Sequence, residues 1–484
     1  MRFFFVLTIY IMTSCAVQKR IVVPAPSIPQ KLPEEKAPPL KEGVSGFIRF
    51  DQQEEAMIQA VQALPEFERL QTRFVICSDQ YNAFGLKSVK ECRDGVVKAI
   101  NSISSEREIA DVKSIGPAGS IMQVRLNDFG LNAAKWVLIE NNDDFKFQSE
   151  TIRGRTLQFL TGAIRPFING HNFAETALVK AYYGLTETPA TFAEFQVQIG
   201  ANIQQDFDNR DPEVILFGMN ESVITTNRQF RLIHRSPSLD GFLWCTNDTN
   251  DVAVPPINVD GQLINTKNLL EAPFPIFARS QKTFTQDAGE CIYTRRNGML
   301  GYALFDAAGN RQDAAPTNIV QDTASASRGL SGTINTRSCF RCHATGFVPI
   351  KDSIGNHIAA NTSFNALDKQ LGRIFFKSAD IGAAAFEEEN EDFAAAQEDL
   401  NISNPTEDPV NELTDKLRLE QDAKQVAGLL GITEDELKTG LRASTNASAI
   451  LGSLLQPNGK VNFQALKDGL PVLIVEMNLF KDDI

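Results

Sequence analysis

Apolar positions at spacings of three and four run through "EEAMIQAVQALPEFERLQTRFVI" and "SVKECRDGVVKAINSI", so residues 50–105 are predicted to be largely helical. "GSIMQVRLNDFGL" alternates and predicts a strand. Residues 150–200 return to mostly helical patterning. "VILFGMNESVITTNRQFRLIHRS" and "DGFLWCTNDTN" read as strands with polar turns, and "DAAGNRQ" marks a turn between apolar runs. From Phe364 onward the spacing is helical in "FNALDKQLGRIFF", "DPVNELTDKLRLEQDAKQVAGLL" and "TEDELKTGLRA". Thr433 and Glu436 have the spacing of a capping box. "FEEENEDFAAAQEDL" reads as a solvated helix face and lacks the offsets of a calcium loop.

The first residues, "MRFFFVLTIYIMTSCAVQKR", follow a different pattern. Arg2 precedes an apolar run from Phe3 to Met12, too short for a mature span but suited to a signal peptide. Thr13-Ser14-Cys15 resembles a bacterial lipobox, which implies lipidation of Cys15. Ala16 after the cysteine, by the same resemblance, implies delivery to the outer membrane, with the chain anchored on its periplasmic side. Two or more acyl chains give stable anchoring. The segment to about Glu42 is dense in proline and charge and reads as an extended tether.

The 484-residue chain carries 43% apolar residues and a net charge of −13. That balance supports a globular body and disfavours nucleic acid, whose phosphates require cationic density. No later run reads as a transmembrane helix. The expected division is 1–14 signal peptide, 15–42 tether, 43–285 mixed α/β body, 286–363 region around the C-x-x-C-H motif at Cys339-Phe340-Arg341-Cys342-His343, read as haem-binding, and 364–484 helical region.

Seven cysteines are Cys15, Cys77, Cys92, Cys245, Cys291, Cys339 and Cys342. Export permits disulfides, and the simplest pairing joins Cys77 to Cys92 and Cys245 to Cys291. Cys339-Phe340-Arg341-Cys342-His343 is a C-x-x-C-H motif, the spacing of covalent c-type haem attachment. Two thiols would add to the vinyl groups of one haem c, and His343 would supply the proximal imidazole. His357 is the first candidate for the distal ligand and Met299 the alternative, alongside an open site. Phe340, Phe347 and Ile350 are expected porphyrin neighbours, and Arg337 and Arg341 propionate contacts. A thioredoxin-like site lacks a preceding strand, and a structural zinc site lacks ligands.

"NGMLGYALFDAAGNRQDAAPTNIVQD" followed by "SCFRCHATG" resembles exported bacterial single-haem, cytochrome c-like proteins. "DQYNAFG", "KAINSIS", "SIMQVRLNDFGLNAAKW", "NRQFRLIHR" and "GFLWCTND" resemble further blocks of that group, from about residue 70 into the helical tail. Phe347 and the position of His234 depart from its pattern. The resemblance implies cytochrome c character. The expected fold is α+β, predominantly helical with short antiparallel strands, a cytochrome c-like haem-binding segment and a helical C-terminal region.

The leading functional expectation is a lipid-anchored, periplasm-facing mono-haem cytochrome transferring electrons to a redox protein partner. A peroxidase-like haem enzyme or ligand sensor with an open distal site is the alternative. A non-haem, disulfide-braced structural lipoprotein, its third bridge joining Cys339 to Cys342, is the second alternative.

Overall fold

The computed structural model describes residues 46–219, 230–250, 252–317, 319, 322, 332–402 and 407–482. Cys15, the signal and the tether lie outside the described residues. Two sheets organise the rest. The first has the order β2-β3-β1-β4, built from β1 (Thr72–Ile76), β2 (Lys113–Ile115), β3 (Ile121–Arg125) and β4 (Phe167–Asn169). β1 is antiparallel to β3 and parallel to β4. Every residue of β1 is buried, and its alternation serves two cores. Phe74 and Ile76 join Met57, Leu157, Leu430 and Leu470, whereas Val75 joins Val96, Met122 and Ile168. A strand covered on both faces is apolar throughout and loses its period of two. This is why "RFVI" reads as part of a helix in the sequence but is a strand in the fold.

The second sheet is antiparallel throughout, with the order β12-β11-β10-β7-β6-β5. Its strands are β5 (Ile215–Met219), β6 (Arg231–Ser238), β7 (Gly241–Asp248), β10 (Ala288–Thr294), β11 (Leu300–Asp306) and β12 (Arg311–Gln312). A small ribbon of β8 (Ile257–Val259) and β9 (Gln262–Ile264) lies between β7 and β10 in the chain. Asp306 accepts hydrogen bonds from the amides of Ala308 and Asn310, closing the turn at "DAAGN". The expectation of a predominantly helical fold with short strands and a cytochrome c-like segment is corrected here. The protein is a mixed α+β fold with a six-stranded antiparallel sheet, and β6 and β7 are eight residues each.

Side chains of the second sheet alternate between two environments. Arg235, Trp244, Glu290 and Tyr302 face the helix Ala379–Asp399 and the C-x-x-C-H segment. His234, Cys245, Cys291 and Phe305 line a cavity on the other face. In register, His234 stands opposite Cys245 and Cys245 opposite Cys291.

The C-terminal helices Ala423–Leu430, Glu434–Ala443 and Phe463–Glu476 pack Leu430, Leu437, Leu441, Leu466, Leu470 and Leu473 into the second core. Thr433 and Glu436 do form a capping box. Arg49 reaches the same carboxylate at 2.8 Å. Hydrogen bonds from Arg49 and Thr433 outweigh partial burial and hold Glu436 down at about 2. No helix among the described residues is long and apolar enough to cross a membrane.

Candidate functional site

Thr336 introduces the motif helix, Arg337–Cys342, with φ of +63°. A β-branched residue rarely adopts that region. Here the fully buried hydroxyl donates to the carbonyls of Leu178 and Asn335, holding the turn in place. The helix then presents its two cysteines differently. Cys339 is 2% exposed and its Sγ lies 3.6 Å from Glu290 Oε1, whereas Cys342 is exposed. Both are free thiols. Burial, reinforced by the Glu290 carboxylate, pushes Cys339 well above the usual thiol range, and burial with Glu290 and Asp322 raises Cys342. Thiols held in the protonated form are poor nucleophiles and poor ligands.

His343 follows as the C-cap of the same helix. Its Nδ1 is 3.0 Å from the Gly346 carbonyl, so that nitrogen carries the proton and donates. The ring packs near Tyr302 and Phe347, with centroids 6.4 Å away in both cases. Burial lowers its pKa, against the pull of Glu290.

Charge around the motif is matched internally. Arg337 is 2% exposed and spans Glu175 and Asp415 at 2.5 Å each, and Arg418 also pairs with Glu175. Arg341 faces Asp322 at 3.3 Å and Asp415 at 3.7 Å. Lys98 pairs with Asp408 at 2.7 Å beneath the ring of Phe340. On the sheet side Arg231 Nε donates to Asp248 at 2.7 Å, and Arg231 Nη2 lies 3.8 Å from Glu290 Oε2. A buried pair is strongly destabilised when one partner is removed, so these groups fix the motif helix in one position.

The stretch read as a solvated helix face is a helix, Ala379–Asp399, but one with an inward side. Its acidic stretch is not simply a solvated face. Phe386, Glu389, Phe393 and Gln397 are buried, at spacings of three or four. Glu389 accepts from Arg235 Nε at 2.7 Å and from the Trp244 indole. Asn390 accepts from the Phe347 amide at 2.6 Å and donates to its carbonyl at 2.9 Å. Gln397 donates to the carbonyl of Ala344 at 3.0 Å. Phe386 and Phe393, seven residues apart within the acidic run, are the sequence signal for this inward face.

These contacts do not fit a haem. Thioether formation needs both sulfurs presented to one porphyrin edge, but Cys339 is buried against the Glu290 carboxylate whereas Cys342 is exposed. Phe340 packs edge-on against Tyr302 and Phe347 against Trp244, and the arginines expected at propionates are held by carboxylates. His357 Nε2 is 2.9 Å from the Leu270 carbonyl, and Met299 is a fully buried core side chain. Two cavities of about 580 and 510 Å³ have neither the two cysteines nor His343, His357 or Met299 in their lining. Among the described residues no group of three or more His, Cys, Asp or Glu is arranged to hold a metal.

The other four cysteines among the described residues form disulfides. Cys77 and Cys92 are bonded with Cα atoms 6.1 Å apart, and Cys245 and Cys291 with Cα atoms 4.1 Å apart. Family models, curated proteins and solved structures provide no match to the chain. The expectations of a single-haem cytochrome family, one covalent haem c, iron binding, and electron transfer or peroxidase-like chemistry are therefore corrected. The motif segment is a packed structural junction between the sheet and two helices. The third bridge of the structural alternative is also corrected, since Cys339 and Cys342 are unbonded.

Proposed function

We propose that the protein is a non-haem, disulfide-braced structural lipoprotein of the bacterial cell envelope, anchored through lipid on Cys15 at the periplasmic side of the outer membrane. The observation that carries this reading is the pair of disulfides, Cys77–Cys92 and Cys245–Cys291. Such bonds form and persist in oxidising compartments outside the cytosol. The apolar run before Thr13-Ser14-Cys15 supports the same destination, and the proline-rich segment supplies a spacer between anchor and body. The redox partner rested on the haem and has no place in this reading.

The test is mass spectrometry of the mature N-terminal peptide with fractionation of the envelope. An acylated Cys15 in the outer-membrane fraction, lost with its membrane association in Cys15→Ala, is the expected result. An unmodified N-terminus in the soluble fraction overturns the proposal.

A further inference from the structure

On the sheet face away from the motif, a cavity of about 510 Å³ is bounded by β6, β7, β10 and β11 below and by the 275–286 segment and residues 191–196 around it. That volume lies within the range of small-molecule sites. Phe192, Phe277, Phe284 and Phe305 form the bulky apolar part of its wall, interspersed with threonine and glutamine side chains. The lining includes no lysine or arginine, and its one acidic residue, Asp306, is engaged in its own turn.

One polar group in this wall lacks a partner. His234 is 1% exposed, and its Nε2 has no hydrogen-bond partner among the described residues. Its Nδ1 faces the Asn247 amide nitrogen at 3.5 Å, and that amide also donates to the Leu232 carbonyl at 3.2 Å. An amide NH₂ only donates, so Nδ1 is the unprotonated nitrogen and Nε2 carries the proton. Burial holds the ring's pKa down at about 4, so it is neutral at neutral pH. The side chain therefore carries one N–H donor that no described residue accepts, in a lining that holds four phenylalanines and no cationic group. An orphaned buried donor is costly unless something completes it.

We propose that this cavity is a binding site for a small, uncharged, mainly apolar molecule carrying a hydrogen-bond acceptor such as a ketone or ester carbonyl, which takes the proton of His234 Nε2. The four phenylalanines supply apolar contact and the imidazole sets orientation. An anion would enter without a counter-charge, near the Asp306 carboxylate. This goes beyond the structural reading above and stands without it, because it depends on neither the anchor nor the compartment.

Benzophenone, an uncharged diaryl ketone that crosslinks to nearby C–H bonds on irradiation, is a direct probe for the full chain. Peptide mapping is expected to place saturable labelling on peptides containing Ile276 and Phe277 or Phe192. His234→Phe keeps a ring but removes the donor, and is expected to lower labelling about fivefold to tenfold at sub-saturating probe. Ile276 is 70% exposed at the rim, so Ile276→Glu leaves folding intact and places a carboxylate at the cavity. It is expected to reduce labelling comparably, and it decides the matter alone if His234→Phe does not fold. The anionic 4-benzoylbenzoate is expected to label weakly. Labelling that is absent, lies elsewhere, is unchanged in Ile276→Glu, or is equally strong with the anionic probe overturns the proposal. So does unchanged labelling in a folded His234→Phe.

Discussion

Arg235 on β6 donates through Nε to Glu389 Oε1 at 2.7 Å, joining the six-stranded sheet to a helix 154 residues later in the chain. Both side chains are buried, and the Trp244 indole donates to the other carboxylate oxygen. Glu213, which also accepts from Arg235 at 2.9 Å, is half exposed and is a weak substitute. Glu389→Ala leaves a buried guanidinium and an indole N–H without their main partner and is expected to cost about 3–5 kcal/mol. Glu389→Gln, which keeps an acceptor, is expected to cost less. Urea unfolding of the two variants checks this, and equal, small losses would show that the pair does not brace the sheet.

Glu54 gives the fold a pH dependence of defined sign. It is 1% exposed in the helix Phe50–Gln62 and accepts from the hydroxyls of Ser149 and Thr151. Burial raises its pKa from 4.5 to about 7, outweighing those hydrogen bonds and Arg153, with Asp482 adding to the rise. Between those pH values the folded protein holds a proton that the unfolded chain has released. Stability from this group is therefore present below about pH 4.5 and lost as pH rises through 7, by about 3 kcal/mol in total. Glu389, also raised to about 7 by burial, adds a decline of the same sign. Glu54→Gln is expected to match the parent at pH 5 and exceed it at pH 8 in urea unfolding. Parallel curves for the two proteins would refute the assignment.

The two disulfides close spans of different length. Cys77→Ser with Cys92→Ser opens a 15-residue separation and is expected to cost about 3 kcal/mol, whereas Cys245→Ser with Cys291→Ser opens 46 residues and is expected to cost about 4 kcal/mol. Gly170 packs on the first bond so closely that a Cβ would sit 2.4 Å from Cys92 Sγ. Gly170→Ala is therefore expected to destabilise by about 1–3 kcal/mol through overpacking, and to be better tolerated once Cys92 is serine. Additive costs for Gly170→Ala and Cys92→Ser would argue against that contact.

Alkylation without reductant distinguishes the remaining thiols. Cys342, exposed but raised in pKa, is expected to react slowly with maleimide in the folded protein and faster as pH rises. Cys339 is expected to react only after unfolding. A total of two labelled sites in the unfolded body is the expected count. Failure of both to label after unfolding would mean that their sulfurs are already bonded.

Local grammar was legible where one element faced one environment. The turn after Asp306, the Thr433–Glu436 box and the β6–β7 strands follow from turn chemistry, capping and alternation. The reading failed where burial came from distant partners. "RFVI" lost its strand period because β1 serves two cores, and Glu389 looked solvated because Arg235 is far away in sequence. The C-x-x-C-H spacing read as chemistry, yet Glu290, 49 residues before Cys339, faces that thiol. His234 was visible as a histidine, but its unpartnered Nε2 and the four phenylalanines gathered in the same cavity wall are properties of the folded chain alone.

The sheet that separates the motif from the cavity makes adjacent residues of one strand answer to different constraints. Along β7, Trp244 belongs to the helix-covered side and Cys245 to the cavity side. A map of tolerated substitutions along β6, β7 and β10 should therefore be striped with a two-residue period, each stripe tracking a separate selective pressure. Point changes can tune one side while sparing the other. A single-residue insertion in β7 cannot, because it exchanges the two sides from that point onward and disrupts the brace and the cavity together.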